Sequence, residues 1–335
     1  MSTPIIALLL TPELRAQMLS PAAEERLASF GKVVAPGPGE LTPETLPRLV
    51  ESASAALTGW GTPPITAALL DRRPELKLLS HSAGSVRRLV PGEAIENGRL
   101  KVSHVAIHIA EAVAEFVLAQ TLSILREPHL LDAGMKAGEP GLELRRRHLG
   151  RLLGSLTVGL VGAGYVGRLV IRLLKAFDAR VQVYDPFLAL ERAEELGVEL
   201  VSLDTVLSTS DIVSLHAPVL PETRQMIGPE HLRRLRDGAI FINTARSALV
   251  DEAALLAALK ENRVIAAIDV FDTEPLPADS PFRSLPNAML SPHAAGHTAD
   301  SHKRQGATAV EEIGRFLRGE PLHHAVTTAM LSTMA

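Results

Sequence analysis

The stretch Leu156–Phe177 reads LTVGLVGAGYVGRLVIRLLKAF. A leucine- and valine-rich run ends at Gly162. Gly162, Gly164 and Gly167 then fit G-x-G-x-x-G, with Tyr165 and Val166 inside the motif. A helical pattern over Arg168–Phe177 follows at once. In such a turn the first glycine allows the tight bend, the second lets backbone approach a pyrophosphate, and the third lets helix and strand pack closely. The free N–H groups at the helix start then face the phosphates. Glycine triplets recur by chance, but the strand–turn–helix setting makes this one specific.

The next apolar run, ARVQVYD, ends in Asp185, 18 residues after Gly167. A carboxylate there accepts hydrogen bonds from the adenosine ribose and repels a 2′-phosphate. Residues 186–190 read PFLAL and hold no Lys or Arg to receive that phosphate. The segment therefore predicts NAD rather than NADP.

Working outward, short apolar runs alternate with helical patterns along most of the chain. Candidate strands are 5–10, 32–35, 55–59 and 77–80, then 156–162, 180–185, 212–216, 239–243, 265–270 and 288–291. Strands apolar on both sides and separated by helices imply parallel sheets covered on both faces. The expected fold is α/β, with two Rossmann-like, doubly wound parallel-sheet domains flanking a cleft. The amphipathic stretch 111–125 would join them. A helical pattern over 299–317 would return to the first domain. The expected division is residues 1–108 with 297–335 as a discontinuous, flavodoxin-like substrate-binding domain, and 109–296 as the NAD-binding Rossmann domain. Gly134–Gly150, with Gly138, Pro140 and Gly141, reads as loop, and its basic run Arg145–Arg147 as solvated surface.

Composition narrows the function classes. The chain has 335 residues, 46% hydrophobic and 21% charged, enough for packed cores. Lys plus Arg is 34 and Asp plus Glu 38, a net charge of −4, without the basic excess expected of a nucleic-acid binder. There is no cysteine, which removes thiolate catalysis, disulfides and cysteine-held metals. The first apolar run, 5–10, is too short to span a bilayer and has no basic residue before it, so it reads as a strand and not an export signal. Glu111 and Glu115 interrupt the apolar stretch 110–125. The expectation is a cytoplasmic protein with no membrane or nucleic-acid partner.

Three later segments carry polar residues at strand ends, where open α/β sheets bind their ligands: 241–260 (FINTARSALVDEAALLAALK), 266–277 (AAIDVFDTEPLP) and 285–298 (LPNAMLSPHAAGHT). With the glycine motif they resemble the D-isomer-specific 2-hydroxyacid dehydrogenases, which include glyoxylate/hydroxypyruvate reductases and phosphoglycerate dehydrogenases. The resemblance is specific from about Glu111 to Thr298. It implies a triad in which Arg246 grips the substrate carboxylate, Glu274 hydrogen-bonds the imidazole of His293, and His293 is the general acid and base. A guanidinium fork matches two carboxylate oxygens. An imidazole, with an ordinary pKa near ~6.5, can give and take a proton.

The resemblance further implies cofactor contacts from His216, Ala217, Pro218, Thr223, Thr244, Ala245, Asp269 and Gly296, besides Arg246 and His293, with Asp269 near the carboxamide. Ala83 and Gly84, in HSAGSVRR, would donate backbone N–H groups to the substrate carboxylate. The expected ligands are NAD and a small 2-keto or 2-hydroxy acid, and the expected assembly is a homodimer. The chain departs from the family pattern at Ser247, where glycine is usual, in the absence of tryptophan from 134–150, and around His81. The pattern stops soon after 317, which argues against the long, serine-regulated phosphoglycerate dehydrogenases. Glu274 argues against formate dehydrogenases, which carry glutamine there. The rival from another class is an NAD-sensing binding protein of the corepressor type, with the same fold and little turnover. Among the 12 histidines, His104/His108 and His293/His297 are spaced by four, but no third ligand accompanies either pair, so no metal is expected.

Overall fold

The computed structural model describes residues 3–334, of Ser332 and Thr333 the backbone alone. The chain forms two compact units, Met1–Ile109 with His297–Ala335, and Ala110–Gly296.

Unit 1 holds β1 (Ile5–Leu9), β2 (Lys32–Val34), β3 (Ala55–Thr58), β4 (Leu78–His81) and β5 (Lys101–His104). All pair in parallel, in the order β2-β1-β3-β4-β5. This is the flavodoxin order, whose strand direction of progress reverses between β1 and β3. Side chains alternate across the sheet. Ile6 and Leu8 join one core cluster with Ala309, Val310 and Ile313, whereas Ala7 and Leu9 join another with Leu69, Leu70 and Leu79. Both faces are therefore covered, as parallel sheets require.

The helix Ala299–Leu317 supplies much of the first cluster and is capped by Thr298, whose hydroxyl accepts from Ser301 N. The chain after it pairs antiparallel along the outer side of β5: His104 N donates to His324 O and Val326 N to Val102 O. The buried Glu312 carboxylate accepts from the amides of His323 and His324, both at 3.0 Å. An edge that would otherwise be open is thus occupied.

Unit 2 holds β6 (Thr157–Val161), β7 (Arg180–Tyr184), β8 (Glu199–Leu200), β9 (Ile212–Leu215), β10 (Ala239–Asn243), β11 (Val264–Ile268) and β12 (Ala288–Leu290). The order is β12-β11-β10-β9-β6-β7-β8, all parallel. It is a Rossmann sheet extended by one strand, with its reversal between β6 and β9. Phe241, Val213, Leu215, Ala266 and Leu255 lie in its core.

Two local expectations are corrected. Residues 134–150 are not loop: helices occupy Pro128–Lys136 and Gly141–Arg147. Pro128 stands in the first turn, where a missing N–H costs nothing. Gly134 is a packing residue, because a Cβ there would lie 2.3 Å from Leu144 Cδ2. Arg145–Arg147 fill the last turn of the second helix, where the helix dipole favours positive charge, and Arg147 pairs with Glu139. Strand β5 and the two-residue β8 were not expected, since KVSH mixes polar residues into a short run. The helix Ala106–Arg126 is the one described helix long and apolar enough, by length and composition, to cross a membrane, and 39% of its apolar window is buried within the protein.

Candidate active site

The site of unit 2 is built where its sheet reverses. β6 delivers Gly162, which has φ +100°, a left-handed value that favours glycine. A Cβ on Gly162 would lie 2.8 Å from Ala217 N, and one on Gly167 would lie 2.3 Å from Gly162 O. The turn and the helix Tyr165–Lys175 are therefore pressed onto the ends of β6 and β9. Gly164 differs: a Cβ there meets nothing within 4 Å. The protein leaves room above that glycine.

Asp185 follows β7 and reaches back to the turn. Its Oδ2 accepts from Ala163 N at 2.7 Å and its Oδ1 from Phe187 N at 2.8 Å. The carboxylate thus fixes the glycine turn, while each oxygen keeps a further lone pair for another donor. His216 follows β9, with Nε2 3.0 Å from the Ser214 hydroxyl. Burial pushes its pKa down to about 4, so the ring is neutral near pH 7. In the loop that follows, the Thr223 hydroxyl donates to Pro218 O at 2.6 Å and accepts from Leu220 N at 2.7 Å. Ala217 and Pro218 are held in that loop.

β10 leads into Thr244, Ala245 and Arg246. The buried Asn243 brackets them, accepting from Ala245 N at 3.1 Å and donating to Arg246 O at 3.0 Å. Arg246 Nη1 donates to Ala245 O at 2.6 Å. The protein around the guanidinium lowers its pKa, and the charge of Glu274 opposes that shift. Thr244 is buried and its hydroxyl has no partner among the described residues. A buried orphan hydroxyl calls for a polar group from elsewhere.

His293 and Glu274 meet. His293 Nδ1 lies 2.8 Å from Glu274 Oε2, and Glu274 Oε1 accepts from Phe271 N at 2.9 Å. Burial pushes Glu274 upward, but the His293 bond, the Phe271 amide and the charges of His293 and Arg246 outweigh it, so its pKa is lowered. Glu274 is therefore an anion that fixes the His293 ring. The His293 backbone is left-handed, φ +53°. Asp269, fully buried at the end of β11, holds that loop: its carbonyl accepts from His293 N at 2.8 Å, and its carboxylate accepts from Ser291 Oγ, Ala294 N and Ala295 N. Both carboxylate oxygens of Asp269 thus serve the His293 loop. Sequence reasoning did not find this anchoring role, nor Asn243 and Ser291; the usable signal was an acid and an amide ending otherwise apolar strands.

In unit 1, Ala83 and Gly84 follow β4. Ala83 is buried and its carbonyl accepts from Val105 N at 3.2 Å, while the N–H groups of Ala83 and Gly84 donate to no group among the described residues. His81, at the end of β4, is buried with Nδ1 3.0 Å from the Thr58 hydroxyl, and burial and His104 push its pKa down to about 4. Gly296 ends unit 2.

These groups fit NAD. The room over Gly164, the helix start behind it, the spare lone pairs of Asp185 and the orphan hydroxyl of Thr244 are complementary to a pyrophosphate, a ribose and a polar nucleotide edge.

Comparison with known proteins agrees. Residues 118–295 match the model of the D-isomer specific 2-hydroxyacid dehydrogenase NAD binding domain. The chain is 35% identical over 272 residues to a glyoxylate reductase of Korarchaeum cryptofilum, covering 79% of this chain and 80% of that one. It is 33% identical over 288 residues to a D-3-phosphoglycerate dehydrogenase of Methanocaldococcus jannaschii, covering 85% of this chain and 54% of that one. The chain thus spans about half the length of the phosphoglycerate dehydrogenases it matches. A solved structure, the TT0316 protein of Thermus thermophilus, superposes with a TM-score of 0.78 at 32% identity, over 96% of this chain and all of that one. The glycine turn, the parallel sheets and these matches lead to one conclusion: the chain belongs to the D-isomer-specific 2-hydroxyacid dehydrogenase family.

Proposed function

We propose that the protein is an NAD(H)-dependent oxidoreductase that interconverts a 2-keto acid and a D-2-hydroxy acid, with His293 as general acid and base. The 2.8 Å bond between His293 Nδ1 and Glu274 Oε2 carries this reading. With Nδ1 directed at a carboxylate, Nε2 is the atom left to exchange a proton with substrate. In reduction, Nε2 gives its proton to the carbonyl oxygen, and Glu274 steadies the cationic ring from which it leaves. In oxidation, Nε2 takes the proton back. The guanidinium of Arg246 clamps the substrate carboxylate through paired hydrogen bonds. In unit 1, Ala83 and Gly84, whose amides donate to no described group, are further candidate substrate contacts. Bound NAD(H) supplies or accepts the hydride.

We also read the protein as a homodimer. Leu130, Met135, Leu142, Leu149 and Leu152, all in one segment of unit 2, are 40–81% exposed, an apolar surface that a second copy would cover. A sedimentation mass of a single chain would contradict this.

The test is NADH consumption with glyoxylate and 3-phosphohydroxypyruvate, suggested by the relatives' names, and with hydroxypyruvate and pyruvate as further small 2-keto acids. His293→Ala should lower kcat by ~10²–10⁴-fold, the usual share of general acid–base catalysis, while NADH still binds. NADH binding without turnover of any keto acid would overturn the enzyme reading.

A further inference from the structure

Unit 2 carries a second cavity-lining group, separate from the glycine turn and from Arg246, Glu274 and His293. A hollow of about 260 Å³ has Arg126, Arg145, His148, Leu149, Arg151 and Leu152 in its walls. Arg126 ends the helix Ala106–Arg126, and Arg145 lies in the last turn of Gly141–Arg147. The stretch after His148 is pinned to the first of these helices, because Arg151 N donates to Leu125 O at 3.0 Å. Gly150 permits the approach: a Cβ there would lie 2.4 Å from Leu125 O and 3.1 Å from Arg126 Nε. Backbone contacts therefore fix where the three arginines stand.

Their charge is not balanced. Asp211 is shared, accepting from Arg151 Nη2 at 3.2 Å and from Arg236 Nη1 at 3.3 Å, besides Thr157 N at 2.9 Å. Glu127 is bonded to His148 Nδ1 at 2.8 Å, and Glu139 pairs with Arg147. Arg126 and Arg145 have no acid partner among the described residues. The helix ends beside them offer about half a negative charge each, less than an arginine carries. Guanidinium forks bind oxyanions through paired hydrogen bonds, and three of them suit the several oxygens of a phosphate better than the two of a carboxylate. At ~30 Å³ per water, the hollow also has room for a small organic body on that phosphate.

Leu149 and Leu152, 81% and 68% exposed, join the hollow to the apolar surface that a second copy would cover. A two-fold interface uses the same patch of both chains, so it would bring both hollows and their positive charge into one contact. A dianion in each removes that opposition. We propose that this hollow binds a phosphate group and that filling it favours the dimer. The second half rests on the homodimer reading; the first stands without it.

The full chain is saturated with NAD⁺, which occupies the glycine turn, and titrated calorimetrically at constant ionic strength with inorganic phosphate and with glycerol 2-phosphate. The expected result is saturable binding, weakened about three- to tenfold in Arg126→Gln and likewise in Arg145→Gln, the worth of a charged hydrogen bond near the surface. Both side chains are exposed, so both variants should fold. Tighter glycerol 2-phosphate points to a phosphorylated metabolite as occupant, tighter inorganic phosphate to the free ion, and either supports the site. No binding, or equal affinity in the parent and both variants, overturns it. In sedimentation, phosphate should lower the dimer dissociation constant of the parent roughly tenfold. The variants, with less charge to oppose, should dimerise at least as well in phosphate-free buffer. A dimer indifferent to phosphate overturns the coupling. So does a phosphate-free dimer weakened in the variants, which would give the arginines to acidic side chains of the second copy. A single-chain mass under all conditions, with binding intact, would overturn the homodimer reading and leave the site standing.

Discussion

His293 is bound to Asp269 by its own backbone: its N–H donates to the Asp269 carbonyl at 2.8 Å, while the Asp269 carboxylate holds the next two amides. A non-glycine residue with left-handed backbone costs about 1–3 kcal/mol and persists only when its surroundings over-determine it. Here the surroundings are one buried acid.

Asp269→Asn tests this. The amide matches the acid in size but turns one acceptor into a donor, facing N–H or O–H groups that need an acceptor. A buried mismatch of this kind costs about 1–3 kcal/mol. The denaturant midpoint should fall, and kcat should fall with it as His293 loses its fixed position. A variant with kcat within twofold of the parent would show that the loop holds without the acid.

The glycines of the turn should separate by role. Gly164→Ala places a methyl in open space, so stability should hold while NADH affinity drops at least tenfold, because the methyl sits where backbone meets pyrophosphate. Gly167→Ala drives a methyl to 2.3 Å from Gly162 O and should cost stability outright. Thermal unfolding with and without NADH distinguishes the two. A Gly164→Ala variant that binds NADH normally would place the pyrophosphate elsewhere.

His81 predicts an acid-side loss of stability in unit 1. Its folded pKa of about 4 lies below the ordinary 6.5, so the native state holds it neutral. As pH falls from about 6.5 to 4, the unfolded chain takes up a proton that the native state refuses, and stability falls. The slope for one such group is ~1.4 kcal/mol per pH unit. His81→Gln should flatten that slope, at the expense of some stability at pH 7. Denaturation at pH 7 and pH 5, followed by Trp60 fluorescence, reads this unit; equal slopes in parent and variant would refute the assignment.

Cofactor choice should turn on Asp185. Asp185→Ala with Phe187→Arg removes the negative charge and places a cation on a side chain that is 75% exposed. The kcat/KM ratio of NADPH to NADH should rise by ~100-fold, while the amides of Ala163 and Phe187 lose their acceptor and the turn loosens by about 1–2 kcal/mol. A retained preference for NADH would mean that another group discriminates.

Local signals were legible in the sequence. The apolar strands, the glycine turn and Asp185 are stated by adjacent residues, and β10 begins and ends where its run AIFIN, 239–243, predicts. Nonlocal demands were not. Gly134 reads as a breaker until Leu144 is seen against it, and KVSH shows no strand signal of its own until it is found beside β4, with Ser103 Oγ donating to Ser80 Oγ at 3.1 Å. The anchoring role of Asp269, beside the cofactor contact expected of it, shows only once the loop closes around it. Each miss involves a partner at least ten residues away, beyond the reach of periodicity.

The make-up of unit 1 bears on how the protein is born. Ile6 and Leu8 pack against Ala309, Val310 and Ile313, so the core of unit 1 stays unfinished while all of unit 2 leaves the ribosome. At ~5–20 residues per second that interval is ~10–40 s, during which sticky nascent strands wait for their covering helix and depend on chaperones or transient shielding.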